Sequence, residues 1–88
     1  MAILLITYDL SNPDQNYSSF HDTIKCYGSW AELSESSYAV ETNVKPTAIR
    51  DKLKQHIGKN DQVYIFTLTG PCAGVGSPEV KKWLSKRL

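Results

Sequence analysis

AILLITYDL, residues 2–10, is an apolar run that ends at an acid, and it decides the fold. Its four consecutive aliphatic side chains, Ile3–Ile6, leave no polar face, which predicts a central strand covered on both sides. The run ends at Tyr8 and Asp9, so an acid stands where a sheet edge meets the loops, a usual place for functional groups. The stretch therefore predicts both the middle of a sheet and a candidate site at Asp9.

The composition predicts one ordinary globular domain over residues 1–88, with 41% hydrophobic and 22% charged residues. No window approaches the ~18 apolar residues of a membrane span. The apolar opening also lacks the basic flank and the cleavage pattern of a signal peptide. We therefore expect a cytoplasmic protein with no membrane partner. Because a domain of this size has a small core, a partner subunit would add stability.

Charge is distributed unevenly along the chain, although the formal net charge is +1. Residues 1–43 carry a net charge of −5 and residues 44–88 a net charge of +6. If the basic side chains gather on one face they would bind phosphates; the alternative, which we favour, is two solvated helix surfaces. The cysteines, Cys26 and Cys72, form neither a disulfide framework nor a zinc site and are predicted to be packing residues.

Three stretches have the period of amphipathic helices. Their apolar stripes consist of Tyr17, Phe20, Ile24 and Tyr27, then Ile49, Leu53 and Ile57, and finally Val80, Trp83, Leu84 and Leu88. His21 falls outside the first stripe and is predicted to be a solvated side chain rather than a ligand. The glycine-rich loop Gly70–Gly76 lacks the lysine of a phosphate-binding loop, so we expect a flexible connection there.

Three further segments predict strands. Trp30–Leu33 and Tyr38–Thr42 are rich in aromatic and branched residues and predict a β-hairpin. The buried side of that hairpin is predicted to consist of Trp30, Leu33, Tyr38 and Val40. The segment QVYIFTLT, residues 62–69, predicts a last strand that is half to fully covered.

The order of these elements predicts an α+β fold of the ferredoxin-like βαββαβ type with an additional C-terminal helix. Right-handed crossovers place the first and third strands in the middle and both main helices on one face. The other face of so apolar a strand cannot stay in water, so either the C-terminal helix covers it or two sheets pack together. We expect a homodimer.

Several short motifs, taken in order over residues 2–69, resemble one family. TYDL ends the first strand, Gly28 precedes the second, ESSYAV forms the third and DQVYIF opens the fourth. This pattern resembles the small CRISPR-associated protein of the Cas-two type and its stand-alone relatives, virulence-associated protein D and the short bacterial proteins labelled SinR-like. The SinR-like group is resembled most closely by the full pattern, which consists of TYDL, Pro13, Tyr17, GSW at residues 28–30, IRDKL at 49–53 and LTG at 68–70.

The resemblance implies a ferredoxin-like homodimer in which Asp9 meets its symmetry mate near the two-fold axis. Several members of the family are metal-dependent nucleases that use this aspartate, and others act only as structural bridges. Two features depart from the CRISPR-associated proteins. Residues 11–14 lack the arginines that usually follow the acid, and the C-terminal tail has a helical pattern where those proteins add a strand. Both departures weaken the inference of nucleic-acid handling and of a role in spacer acquisition.

Asp9 has two possible roles. Two Asp9 side chains from two subunits are sufficient to hold one Mg²⁺ ion that activates a water on a phosphodiester, because Mg²⁺ needs few carboxylates and keeps several waters. The alternative is that Asp9 caps the following turn by accepting backbone N–H groups.

Two functions therefore stay open. The first is a Mg²⁺-dependent endoribonuclease, in which Asp9 is the catalytic metal ligand and basic helix residues position the phosphates of RNA or another nucleic acid. The second is a non-catalytic dimeric binding or scaffold protein whose C-terminal helix and glycine loop contact a partner.

Overall fold

The computed structural model describes residues 1–12 and 14–88, and within them seven elements follow the order predicted from the sequence. They are β1 (Ala2–Asp9), α1 (Ser18–Lys25), β2 (Ser29–Ser34), β3 (Ser37–Thr42), α2 (Pro46–Lys54), β4 (Gln62–Leu68) and α3 (Pro78–Arg87). No helix in the described ranges is long and apolar enough to cross a bilayer.

The four strands form one sheet in the order β2-β3-β1-β4, and each neighbouring pair is antiparallel. β1 therefore lies in the middle, as its apolar run predicts. Leu4 lies opposite Val40 of β3 and Thr67 of β4, and Ile6 lies opposite Tyr38 and Ile65. The central position of the first and third strands is compatible with the predicted ferredoxin-like pattern.

The helix face of the sheet, which carries Leu4, Ile6 and Tyr8 of β1, holds the core. Side chains alternate between faces along a strand, so these three point to the same side. Both α1 and α2 pack on that side, as predicted. The buried cluster consists of Leu4, Ile6, Tyr8, Phe20, Ile24, Tyr38, Val40, Ile49 and Leu53.

The opposite, outer face is partly covered by α3. The indole Nε1 of Trp83 donates to Ser29 Oγ at 2.9 Å, and the guanidinium of Arg87 donates to the same oxygen at 3.1 Å. Arg87 Nε also lies 3.4 Å from Glu41 Oε1. Ser29 lies opposite Glu41, so α3 rests on the outer face above β2 and β3. The predicted apolar stripe of α3 is half-buried there.

The two edge strands correct part of the sequence prediction. Tyr38 and Val40 of the hairpin are buried, but Trp30 is 40% exposed and Leu33 38% exposed, because β2 is an edge strand. The strand β4 is half covered. Exposed and half-buried residues alternate along it from Gln62 to Phe66, and Thr67 after them is also exposed. The predicted topology already places β2 and β4 at the edges, but the hydrophobic pattern does not show how far their side chains are exposed there.

Both cysteines were predicted to be packing residues, and that prediction is wrong. Cys26 follows the end of α1 and Cys72 lies in the loop before α3, and both side chains are exposed free thiols. Neither belongs to the buried cluster of the helix face. They therefore contribute nothing to the core.

Candidate functional site

Asp9 is the last residue of β1, and it is exposed. It lies opposite Gln62, the first residue of β4. Because side chains alternate along a strand, Asp9 shares the outer face with Thr7 and Leu5. The structure thus places the predicted acid at the rim of the sheet, on the face away from α1 and α2.

An apolar strip leads from this rim along the outer face, and we call Leu5, Thr7, Tyr64 and Phe66 the outer strip. Tyr64 lies opposite Thr7, and Phe66 lies opposite Leu5. Tyr64 is 58% exposed and Phe66 is 52% exposed, while Leu5 and Thr7 are half-buried. The helix α3 covers the neighbouring part of the face but leaves both aromatic rings open to solvent.

Asp61, the residue before β4, is the most heavily hydrogen-bonded acid near the rim. Its carboxylate accepts the backbone N–H of Ser11 at 2.8 Å and the Ser11 hydroxyl at 3.1 Å. The Tyr17 hydroxyl lies 2.9 Å from Oδ2 and 3.0 Å from Oδ1. The backbone N–H of Gly58 donates to Oδ2 at 2.8 Å. The loop after Asp9 is therefore tied to the turn that precedes Gln62.

These contacts lower the pKa of Asp61. The largest cause is the N–H of Gly58, followed by the N–H of Ser11, and both favour the charged carboxylate. Sequence reasoning treated Asp61 only as the opening of a strand and missed this role. The available signal was the antiparallel pairing of the first and last strands, which brings the residue before Gln62 beside the loop that follows Asp9.

The hydrogen bonds around the β1–α1 loop do not involve the Asp9 carboxylate. Asn12 Oδ1 accepts the N–H of Asp14 at 3.1 Å, and Asn16 Oδ1 accepts the N–H of Ser18 at 2.9 Å. Within residues 1–12 and 14–88, no backbone N–H donates to the Asp9 side chain. In this part of the chain Asp61 and the two asparagines organise the turn, which leaves the Asp9 oxygens available to a ligand.

The residues present in one chain only partly fit a metal ion at Asp9. Among the described residues, no group of three or more His, Cys, Asp or Glu side chains is arranged to hold a metal ion. Mg²⁺ usually keeps several waters and takes one or two protein carboxylates, so it does not need such a group. An ion at Asp9 would therefore take its other ligands from water or from a second chain.

The basic residues of the second half do not gather on one face. Those of α2 lie on the helix that packs against the helix face, whereas those of α3 lie over the outer face. Arg50 pairs with its neighbour Asp51 at 2.9 Å, and Arg87 is engaged by Glu41. Lys59 lies in the turn that Asp61 ties to the loop after Asp9. Of the two alternatives for this charge, separate surfaces on the two helices fit the structure.

The prediction that the His21 side chain is solvated is wrong. The side chain is half-buried, and its ring centroid lies 5.6 Å from those of Tyr8 and Phe20. Its Nδ1 is buried without a hydrogen-bond partner in the described part of the chain. The prediction that it is not a metal ligand is not changed by this placement, because the neighbours are aromatic rings.

A groove of about 600 Å³ lies between the glycine loop, α3 and the edge of β2. Its apolar lining includes Leu33, Val80 and Leu84, and Lys81 stands among the polar residues. Val75 of the loop is fully exposed at this place. The groove is lined by α3 on the outer-face side of the sheet and contains neither Asp9 nor a residue of the outer strip.

No family model matches the sequence, and no curated protein matches it. Function is therefore inferred from the fold, the Asp9 rim and the surfaces beside it.

Proposed function

We propose that the chain forms a Cas-two-like, ferredoxin-like homodimer that cleaves RNA with a Mg²⁺ ion shared by two Asp9 carboxylates. One observation carries the proposal: the exposed Asp9 ends a face that also presents Tyr64 and Phe66, which are 58% and 52% exposed. Large aromatic side chains are enriched in the buried centres of protein interfaces. A second copy packed on the outer strip would cover both rings.

A two-fold contact sets a condition on where the subunits meet. Such a contact uses the same surface of both subunits. The oxygen ligands of Mg²⁺ lie about 2.1 Å from the metal, so the two-fold axis has to pass beside Asp9 for the carboxylates to share an ion. Tyr64, opposite Thr7 in the ladder, is then closer to the axis than Phe66. Two sheets packed face to face lie about 10 Å apart, a gap that two aspartates and a hydrated ion fill.

In the proposed RNA cleavage, the ion and the residues of the chain have different roles. A bound Mg²⁺ ion polarises a phosphoryl oxygen and supplies an activated water. Asp9 would hold that ion at the rim of the sheet. Lys59 is exposed in the turn tied to the loop after Asp9, and in this proposal its ammonium group would contact a phosphate of the bound RNA. Four donor groups fill the acceptor positions of the Asp61 carboxylate, so the proposal assigns the ion to Asp9 rather than to Asp61.

The proposal is tested by comparing Asp9→Asn with Asp14→Asn, which makes the same change of charge in the neighbouring loop. Single-stranded RNA is incubated with each purified protein over a range of Mg²⁺ concentrations. We expect Asp9→Asn to lower the cleavage rate more than about 100-fold, since losing even an outer partner of a metal ligand costs about 10- to 100-fold. Asp14→Asn should cleave like the unaltered protein. Cleavage that survives in Asp9→Asn, or in excess chelator, would contradict the proposal.

A second function is favoured by the groove between the glycine loop and α3. Its volume of about 600 Å³ and its apolar lining are typical of a site that binds another molecule. In this alternative the chain is a non-catalytic dimeric binding or scaffold protein. An unaltered protein that sediments as a dimer and cleaves no RNA at any Mg²⁺ concentration would favour it. Retention of RNA that weakens steeply with added salt would then identify nucleic acid as the partner.

A further inference from the structure

We infer that Asp61 is the positioning residue of the Asp9 site, because its carboxylate fastens the segment after Asp9 to the segment before Gln62. The consequence for metal binding and cleavage rests on the proposed function. The anchoring itself depends only on the hydrogen bonds of the described residues, so the two can be tested separately.

The pairing of β1 with β4 explains why an acid is needed at this position. The ladder ends with Asp9 opposite Gln62, and continuing its register would place Leu10 opposite Asp61. Backbone pairing stops there. The Asp61 carboxylate then accepts the backbone N–H of Ser11 at 2.8 Å, so a side-chain oxygen takes over the role of a strand carbonyl. This bond extends the strand pair beyond Asp9. The backbone is therefore held before Asp9 by the β1–β4 ladder and after it by the bond from Ser11 to Asp61.

The same carboxylate also gathers the far end of the loop. Tyr17, at the start of α1, points its hydroxyl at Asp61 from 2.9 Å, and that hydroxyl accepts the N–H of Asn12 at 3.3 Å. The Gly58 N–H donates at 2.8 Å, and the Asp61 N–H donates back to the Gly58 carbonyl at 3.2 Å. Asp61 thus joins the turn before β4 to both ends of the β1–α1 loop.

The number of donors defines what Asp61 can and cannot do. An ionised carboxylate offers about four acceptor positions. Four donor groups, the N–H groups of Ser11 and Gly58 and the hydroxyls of Ser11 and Tyr17, already occupy them. Its lowered pKa agrees with a carboxylate stabilised in the charged form. Asp61 therefore acts on a ligand only through Asp9, whose oxygens are free of backbone donors in the described residues.

The test compares Asp61→Asn with Asp14→Asn and with Ile49→Val, a buried core change that lowers stability without touching the rim. The asparagine amide has one oxygen and one N–H₂ group, and the N–H₂ group cannot accept a hydrogen bond. At least one of the groups that donate to Asp61 would therefore lose its acceptor. We expect exchange of the Ser11 and Gly58 amide hydrogens, followed by NMR, to become at least about 10-fold faster only in Asp61→Asn. Mn²⁺ serves as the metal probe, through its broadening of the Asp9 and Leu10 amide signals.

Metal binding separates a positioning role from a merely structural one. We expect Asp61→Asn to need about 10- to 100-fold more Mn²⁺ for the same broadening, as is usual when the support of a ligand is removed. Cleavage, where measured, should show a higher Mg²⁺ requirement but recover most of its maximal rate at saturation. Asp9→Asn should recover at no concentration. This split between metal requirement and maximal rate is not expected of Ile49→Val.

The outcomes distinguish the anchoring role of Asp61 from the proposed ion at Asp9. Exchange and Mn²⁺ response in Asp61→Asn equal to those in Asp14→Asn would overturn the inference. Where Mn²⁺ broadens the signals of the unaltered protein, faster exchange in Asp61→Asn with the same Mn²⁺ response would also overturn the inference, because Asp61 would then be structural only. Faster exchange of the amides around Asp9, with no broadening even in the unaltered protein, would support the anchoring and overturn the proposed shared ion instead.

Discussion

The two faces of the sheet are built from the same strands but differ in what covers them. On the helix face, Leu4 and Ile6 of β1 are fully buried beneath α1 and α2. On the outer face, Leu5 and Thr7 of the same strand are only half-buried, and Phe66 beside Leu5 is 52% exposed. One strand thus separates a completed core from a face that α3 covers in part.

The comparison indicates where stability and function are located. Burial of apolar surface is the largest favourable term in folding, so the helix face supplies most of the stability of the single chain. An apolar surface left open adds nothing to that term until something packs on it. Because Asp9 ends the outer face, the surface that is least needed for folding is also the one that carries the candidate site.

Truncation of the helix-face core should have the largest effect. Phe20 of α1 is fully buried and its ring meets that of Tyr8 edge-on, with centroids 5.0 Å apart. Replacing Phe20 with Ala should lower the free energy of unfolding by about 3–5 kcal/mol, since it removes the contacts and leaves a cavity. Urea unfolding at fixed protein concentration measures this. A loss below about 1 kcal/mol would mean that the helix face is not the stabilising one.

A charge placed in the outer strip should instead change association. Burying a phenylalanine is worth about 1.5–3 kcal/mol, and a two-fold contact contains the residue twice. Phe66→Asp should therefore raise the dimer dissociation constant by about 100-fold or more. Analytical ultracentrifugation measures the change, and the circular dichroism spectrum should stay that of a folded chain. Thr69→Asp, which adds the same charge just beyond β4, is the matched control.

The result for Phe66→Asp also tests the boundary between the two faces. If its dimer dissociates no more readily than that of Thr69→Asp, the outer strip is not the subunit contact. If the unaltered chain is a monomer at every concentration, the shared-ion proposal loses its second carboxylate. Both outcomes would leave the helix-face prediction for Phe20 unaffected.

Removing the indole that docks α3 should have an intermediate effect. Trp83 is half-buried, donates to Ser29 at 2.9 Å and stacks under Arg87, whose guanidinium carbon lies 4.1 Å from the ring. Trp83→Ala should cost about 2 kcal/mol of unfolding free energy, because part of a large ring and one hydrogen bond are lost. Trp83→Phe keeps an aromatic ring and should cost about half as much. Equal losses in the two variants would assign the whole effect to the hydrogen bond.

Much of the helix face could be predicted from the sequence because the signals there are local. The run Ile3–Ile6 predicts a central strand, and the stripes containing Phe20, Ile24 and Ile49 predict which helix sides are buried. The order of elements then limits the topology to a few arrangements. These predictions are confirmed because each depends on residues that are close together in the chain.

The outer face and the rim could not be predicted in the same way. Whether Trp30 or Tyr64 is covered depends on the strand being at an edge, which a period of two does not report. The contact between Asp61 and Ser11 joins residues fifty positions apart. The sequence predicts the place of Asp9 at a strand end correctly, and its metal-binding role stays a prediction. Long-range contacts and the surroundings of an edge therefore mark the limit of pattern-based reasoning.

The smallest expected effect is the loss of unfolding free energy at low pH, which tests whether Asp61 at the rim contributes to stability in addition to the core. The Gly58 and Ser11 N–H groups lower the pKa of Asp61, so folding favours its ionised form. The stabilisation is therefore fully present above the ordinary aspartate pKa of about 3.9 and is lost as the pH falls through the lower value of the folded state. In urea unfolding from pH 7 down to about pH 2.5, the unaltered chain should lose more stability than Asp61→Asn, whereas Asp14→Asn should follow the unaltered chain. If the unfolding free energies of the unaltered chain and of Asp61→Asn change equally with pH, the Asp61 carboxylate does not stabilise the loop after Asp9. The stability of the rim would then have to come from the core on the helix face.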